Sequence, residues 1–125
     1  TDMSGASEFY VGGAVTYTDD VKARVLGIDP ELIREHTAVS EPVARAMAEG
    51  ARTLTGADFA VSVTGVAGPD SDDRGNPVGT VFVGISTADG ERVIRLTLSP
   101  DRSRDYIRTL AATHALNLIR TSLDV

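Results

Sequence analysis

The stretch Asp58–Thr64 (Asp-Phe-Ala-Val-Ser-Val-Thr) runs without a break into Gly65-Val66-Ala67-Gly68-Pro69. No other feature constrains the fold as much. A short β-rich run that ends in a Gly-Pro turn reads as a buried strand. In open α/β sheets, ligands bind in the loops that leave the ends of such strands. The two glycines let main-chain N–H groups converge on an anion or a developing oxyanion. A plain glycine-rich turn is the alternative reading of the same spacing. No Gly-Lys-Ser/Thr follows, so it is not a Walker loop. The third glycine and the following helix of a dinucleotide fingerprint are also missing.

The flanking sequence fixes what surrounds this strand. Thr18, Asp19 and Asp20 read as an N-cap with an acidic first turn, so a helix is predicted over Asp20–Leu26, stopping at Gly27. Pro30 opens a second short helix, Glu31–His36. Ser40 caps a third, whose stripe of Val43, Met47 and Leu54 with Ala44, Ala48 and Ala51 ends at Gly56. Asp70–Pro77 is polar and turn-forming, hence a surface loop. Strands are predicted over Val78–Thr87 and Glu91–Ser99, joined by a hairpin at Asp89-Gly90. Ser99-Pro100-Asp101 is expected to cap a last helix reaching about Leu123, with Ile107, Leu110, Ala111, His114 and Leu118 as its stripe. Phe9–Tyr17 is rich in β-branched and aromatic residues and is predicted as a further strand, with Gly12 and Gly13 marking a bulge. The expected fold is therefore α/β: a mixed sheet of at least four strands flanked by helices in a layered sandwich.

Composition excludes several functions. With 125 residues the chain is expected to form one domain, 1–125. A net charge of −6 leaves no basic footprint for nucleic acid and would be repelled by an anionic membrane. There is no cysteine, which removes disulfides, thiol nucleophiles and zinc-thiolate sites. No apolar run reaches membrane-spanning length and no signal peptide is present, so a cytoplasmic location is expected.

The twelve basic residues comprise eleven arginines and one lysine, Lys22. Arginine does not deprotonate in a protein, whereas a desolvated lysine can. Lys22, close to Tyr17 at a strand-to-helix turn, is therefore a candidate base for a serine hydroxyl, with a solvated surface lysine as the alternative. Arg102 and Arg104 open the last helix. A cation there opposes the helix dipole, which points either to a bound anion or to an ion pair with Asp101 or Asp105. The Asp70-x-Asp72 loop lacks the bidentate acid of a calcium loop, since Val81 stands at its twelfth position. His36 and His114 have no ligand spacing; a surface His36 and a partly buried His114 are expected.

Several runs together carry a resemblance: Tyr17-Thr18-Asp19-Asp20-Val21-Lys22, His36–Ala44, Val63-Thr64-Gly65-Val66-Ala67-Gly68-Pro69-Asp70, Asn76-Pro77-Val78-Gly79-Thr80-Val81 and Asp101-Arg102. In this order the chain resembles the C-terminal domain of the CinA family, which also occurs alone as PncC. The resemblance implies an amidohydrolase that converts nicotinamide mononucleotide to nicotinate mononucleotide and ammonia, with a serine nucleophile, a lysine base and neither metal nor cofactor. It implies Lys22 and Tyr17 as catalytic residues. It places Thr64, Gly65, Val66, Ala67 and Gly68 in the substrate loop, and Arg102 at the substrate phosphate, although Pro100 replaces the glycine of the family's Gly-Asp-Arg segment. Family members begin with a helix, a strand and a Glu-Ser-Cys-Thr-Gly-Gly segment that this chain does not contain. The expectation is a domain without its first helix and strand, its serine lying upstream of Thr1. The alternative is a non-catalytic member that binds a nucleotide or a partner protein. The expected partner is a small nucleotide, and an open sheet edge suggests a homo-oligomer.

Overall fold

The structure, a computed structural model, describes residues 1–123. The predicted punctuation marks become helix ends. Helix α1 spans Asp19–Leu26; the Thr18 hydroxyl accepts from the Val21 N–H at 3.3 Å, and Gly27 closes it at φ 68°. Helix α2 spans Pro30–His36, capped by the Asp29 carboxylate on the Glu31 N–H at 2.9 Å. Helix α3 spans Glu41–Thr55 between the Ser40 cap and Gly56. Each cap satisfies a donor that the helix cannot pair internally. Helix α4 spans Arg104–Leu123. Its cap is Ser103, whose hydroxyl accepts from the Tyr106 N–H at 3.1 Å. The predicted cap at Ser99-Pro100-Asp101 is instead a turn that precedes the helix, because a hydroxyl one turn closer takes the role.

Strands β1 (Ala60–Gly65), β2 (Thr80–Thr87) and β3 (Gly90–Thr97) form a sheet of order β1-β2-β3. Both pairings are antiparallel, with Val63 opposite Val83 and Val83 opposite Ile94. The β2–β3 hairpin forms where Asp89-Gly90 predicts it, but only Gly90 takes a positive φ, of 118°. Ala88 and Asp89 therefore do not form the primed turn for which Asp-Gly is known.

Phe9–Tyr17 forms no strand; after a 3-10 turn at Ala6–Glu8 it joins no sheet ladder among the described residues. The sheet accordingly has three described strands where at least four were expected, and no parallel pairing is among them. Composition favoured a strand, but two glycines interrupt the segment and no ladder partner lies beside it: Val15 and Tyr17 are 91% and 81% exposed. Isolated extended segments are not stable without such a partner.

The α/β class and the layering stand. On one face of the sheet, Val81, Val83 and Ile85 pack with Ile107, Ala111, Ala115 and Leu118 of α4. On the other face small residues let α3 come close: the Ser62 hydroxyl donates to the Ala44 carbonyl at 2.6 Å. A Cβ on Gly84 would lie 2.6 Å from that same oxygen. Beyond α3, helices α1 and α2 close a second core of Leu26, Ile28, Ile33, Val43 and Met47.

Candidate functional site

The glycine loop leaves the end of β1 as predicted. Gly65 still belongs to the ladder, opposite Val81, and a Cβ there would lie 2.8 Å from the Thr80 carbonyl. Val66 is fixed on both sides: its N–H donates to Thr80 O at 2.9 Å and its carbonyl accepts from the Gly79 N–H at 2.8 Å. The Thr64 hydroxyl donates to the Ala38 carbonyl at 2.7 Å, tying the strand end to the α2–α3 connection. Among the described residues, the N–H groups of Ala67 and Gly68 donate to no protein acceptor. Gly68 is buried and holds φ 93°. Unpaired main-chain donors are rare in folded proteins and suit an anion.

The single lysine is buried, at 7% exposure. Its Nζ donates to the Thr16 carbonyl at 2.7 Å and to the Tyr17 carbonyl at 3.5 Å. Burial lowers its pKa from the ordinary lysine value, against the opposing pull of the Asp19 carboxylate. The solvated-surface reading of Lys22 is thereby removed. Tyr17 is placed differently from Lys22: its side chain is exposed, and its link to Lys22 runs through its main-chain oxygen. Lys22 makes no hydrogen bond to the Thr64–Gly68 loop.

The arginines resolve the question left by the sequence. Neither Arg102 nor Arg104 pairs with Asp101 or Asp105; it is Arg108 that lies 4.0 Å from Asp105. Arg102 stacks on the Tyr106 ring at 4.9 Å and reaches no loop residue. Arg104, which the sequence put forward together with Arg102 and the resemblance did not assign, donates from Nη1 to the Gly68 carbonyl at 2.7 Å. Nothing in local spacing distinguishes the two, because the contact spans 36 residues.

A cleft of about 460 Å³ opens between α1, α2 and the 70–76 loop, lined by Asp19, Ile33, Thr37, Ala38, Asp72 and Arg74 among others. Ala38 and Asp19 join this cleft to Thr64 and Lys22 respectively. Its flap is stiffened by Asp72, whose carboxylate accepts from the Arg74 N–H, the Asn76 N–H and the Asn76 side chain. Partial burial works against the Asp72 charge, but these bonds and the Arg74 charge outweigh it and lower the pKa. No group of three or more metal-ligating side chains occurs among the described residues.

Thr37, in the cleft wall, is the one non-glycine residue at positive φ among the described residues, at φ 67°, ψ 163°. Its N–H reaches Ile33 O at 2.7 Å, and Ser40 donates to its carbonyl at 2.7 Å. A β-branched residue in this nearly glycine-only region stores about 1–3 kcal/mol of strain. Thr37→Gly is expected to stabilise the fold by about 1 kcal/mol in urea unfolding, by relieving part of it.

Comparison with known proteins gives the family and the fold. The CinA C-terminal domain family matches residues 1–123, and the chain belongs to that family. A CinA-like protein of Mycobacterium marinum is 47% identical over 123 residues, covering 98% of this chain and 29% of that protein. A CinA-like protein of Solibacter usitatus is 45% identical over 120 residues, covering 96% of this chain and 28% of that protein. The chain thus spans under a third of the length of these bacterial relatives. The crystal structure of competence damage-inducible protein A (ComA) from Klebsiella pneumoniae superposes with a TM-score of 0.93 at 30% identity, covering 98% of this chain and 75% of that one. No described helix is long and apolar enough to cross a membrane.

Proposed function

We propose that this domain carries the base and the anion-binding loop of an amidohydrolase that converts nicotinamide mononucleotide to nicotinate mononucleotide and ammonia. The observation that carries the reading is Lys22, the chain's single lysine, buried and with its pKa lowered. A lowered pKa raises the fraction of neutral amine, the form that accepts a proton. The choice of substrate rests on the family resemblance.

In this reading the nucleophilic serine lies outside residues 1–125. Lys22 takes its hydroxyl proton as Oγ attacks the amide carbon. The oxyanion is received by the Ala67 and Gly68 N–H groups, and the proton passes to the departing nitrogen, which leaves as ammonia. Water then cleaves the acyl-serine ester. Thr64, Gly65 and Val66 hold the loop in shape, and Tyr17 orients the substrate or relays the proton. Among the described residues the Arg102 guanidinium hydrogen-bonds no protein group and is already ordered on the Tyr106 ring, so its donors remain for the substrate phosphate.

One observation favours a second reading, that of a binding domain without catalysis: the Lys22 amine is engaged by two main-chain carbonyls, and no described serine hydroxyl is bonded to it. Ammonia release from nicotinamide mononucleotide by the whole protein, alongside calorimetry with the same nucleotide, separates the two. Turnover supports the first reading, binding without turnover supports the second, and no binding removes both.

A further inference from the structure

We propose that Arg104 is the positioning residue of the glycine loop, setting the Ala67 and Gly68 N–H groups toward the oxyanion that develops on the ligand. The inference rests on the reading of this loop as ligand-binding. Thr64 and Val66 are anchored by Ala38, Thr80 and Gly79, all through main-chain groups. Beyond Val66 the main chain makes no such bond until Asp72. Gly68 is held instead by a side chain from another element, the Arg104 guanidinium at 2.7 Å. A charge-assisted bond of this length fixes the Gly68 carbonyl and, with it, the adjoining peptide planes. On its other side Gly68 is confined by Val78, whose Cγ1 would lie 2.9 Å from a Cβ placed there.

Electrostatics points the same way. Arg104 has no carboxylate within salt-bridge distance among the described residues, so its charge stays uncompensated beside two unpaired N–H groups. It opens α4, where the helix dipole already disfavours a cation. An anionic ligand group at the loop offsets both the charge and the open donors. Arg102, two residues earlier, is directed to Tyr106 and has no hold on the loop.

The test uses Arg104→Met and Arg104→Lys, with Arg108→Met as a control on the same helix. With nicotinamide mononucleotide and the whole protein, Arg104→Met is expected to lower kcat about tenfold to a hundredfold. KM changes less than about twofold, and Arg104→Lys recovers part of the loss because it keeps a charged donor. The control stays within about twofold of wild type. The amide resonances of Ala67 and Gly68 supply a readout independent of turnover. They move in Arg104→Met, return toward wild type in Arg104→Lys, and respond to inorganic phosphate in the wild type. If the wild type releases no ammonia, the proposed reaction fails and these resonances alone decide the role of Arg104. Should Arg104→Met not fold, Arg104→Gln replaces it. Unchanged Ala67 and Gly68 resonances, or an unchanged kcat in an active protein, overturn the proposal.

Discussion

Lys22→Met is expected to abolish most ammonia release while leaving the fold close to wild-type stability. Loss of a general base lowers turnover by about 10²- to 10⁴-fold. Stability responds differently. The substitution removes the ammonium of a residue that is 7% exposed, and that ammonium has no carboxylate in hydrogen-bond contact. Replacing a buried charge with an apolar side chain of similar volume is often neutral or stabilising. Against this, the Thr16 carbonyl loses its donor, which costs about 1–3 kcal/mol. The pH dependence separates the two effects. Burial lowers the folded pKa of Lys22 below 10.5, so between the folded value and 10.5 the unfolded chain binds more protons than the folded one. Wild-type stability therefore carries the full burial penalty below the folded pKa and recovers as pH rises toward 10.5. Urea unfolding from pH 7 upward is expected to show Lys22→Met losing ground to wild type as the pH rises. A difference independent of pH would rule out the buried-charge account. Turnover of the wild type should rise with pH and level off below the usual lysine range, since only the neutral amine takes a proton.

How far the sequence speaks for itself depends on the range of the forces involved. Thr18 and Ser40 were legible as caps, Pro30 as a helix opening, and Gly27 and Gly56 as stops, because these are signals within one turn. The β2–β3 hairpin was legible for the same reason. The α4 cap was misplaced by one turn because Ser99 and Ser103 both have a hydroxyl at a helix entrance, and composition does not rank them. Phe9–Tyr17 misled because strand propensity reports fit to a pleated surface and not whether a partner strand exists. In the site, Lys22 stood out by residue type, and its burial was the missing fact. The loop Thr64–Gly68 stood out by its glycines, whereas its two unpaired N–H groups follow from the three-dimensional course of Thr80 and Gly79. Arg104 was hidden for a further reason. Two arginines two residues apart look alike in sequence, and only the position of Tyr106 and of the Gly68 carbonyl assigns them different work.

Gly50→Ala is the second large effect, and its sign opposes the intrinsic rule. Gly50 lies inside α3, where alanine is the better helix former by about 1 kcal/mol. An exposed glycine at such a position would gain stability on substitution. Here a Cβ would stand 2.2 Å from the Leu26 carbonyl oxygen and 2.9 Å from the Leu26 Cβ. Leu26 is the last residue of α1, held by the left-handed Gly27 behind it, so the end of α1 must shift as main chain. Overpacking of this kind costs about 1–3 kcal/mol, which outweighs the propensity gain. Urea unfolding of Gly50→Ala is therefore expected to give a lower midpoint than wild type, and a higher midpoint would show that α1 yields freely. Truncating the side chain with Leu26→Ala should not rescue the variant, because the nearest obstacle is a main-chain oxygen. The displacement also reaches the site. Lys22 sits one helical turn before Leu26, and its amine is fixed by carbonyls at the other end of α1. Moving one end of that short helix against α3 tilts the amine away from Thr16, so ammonia release should fall further than the loss of stability alone explains.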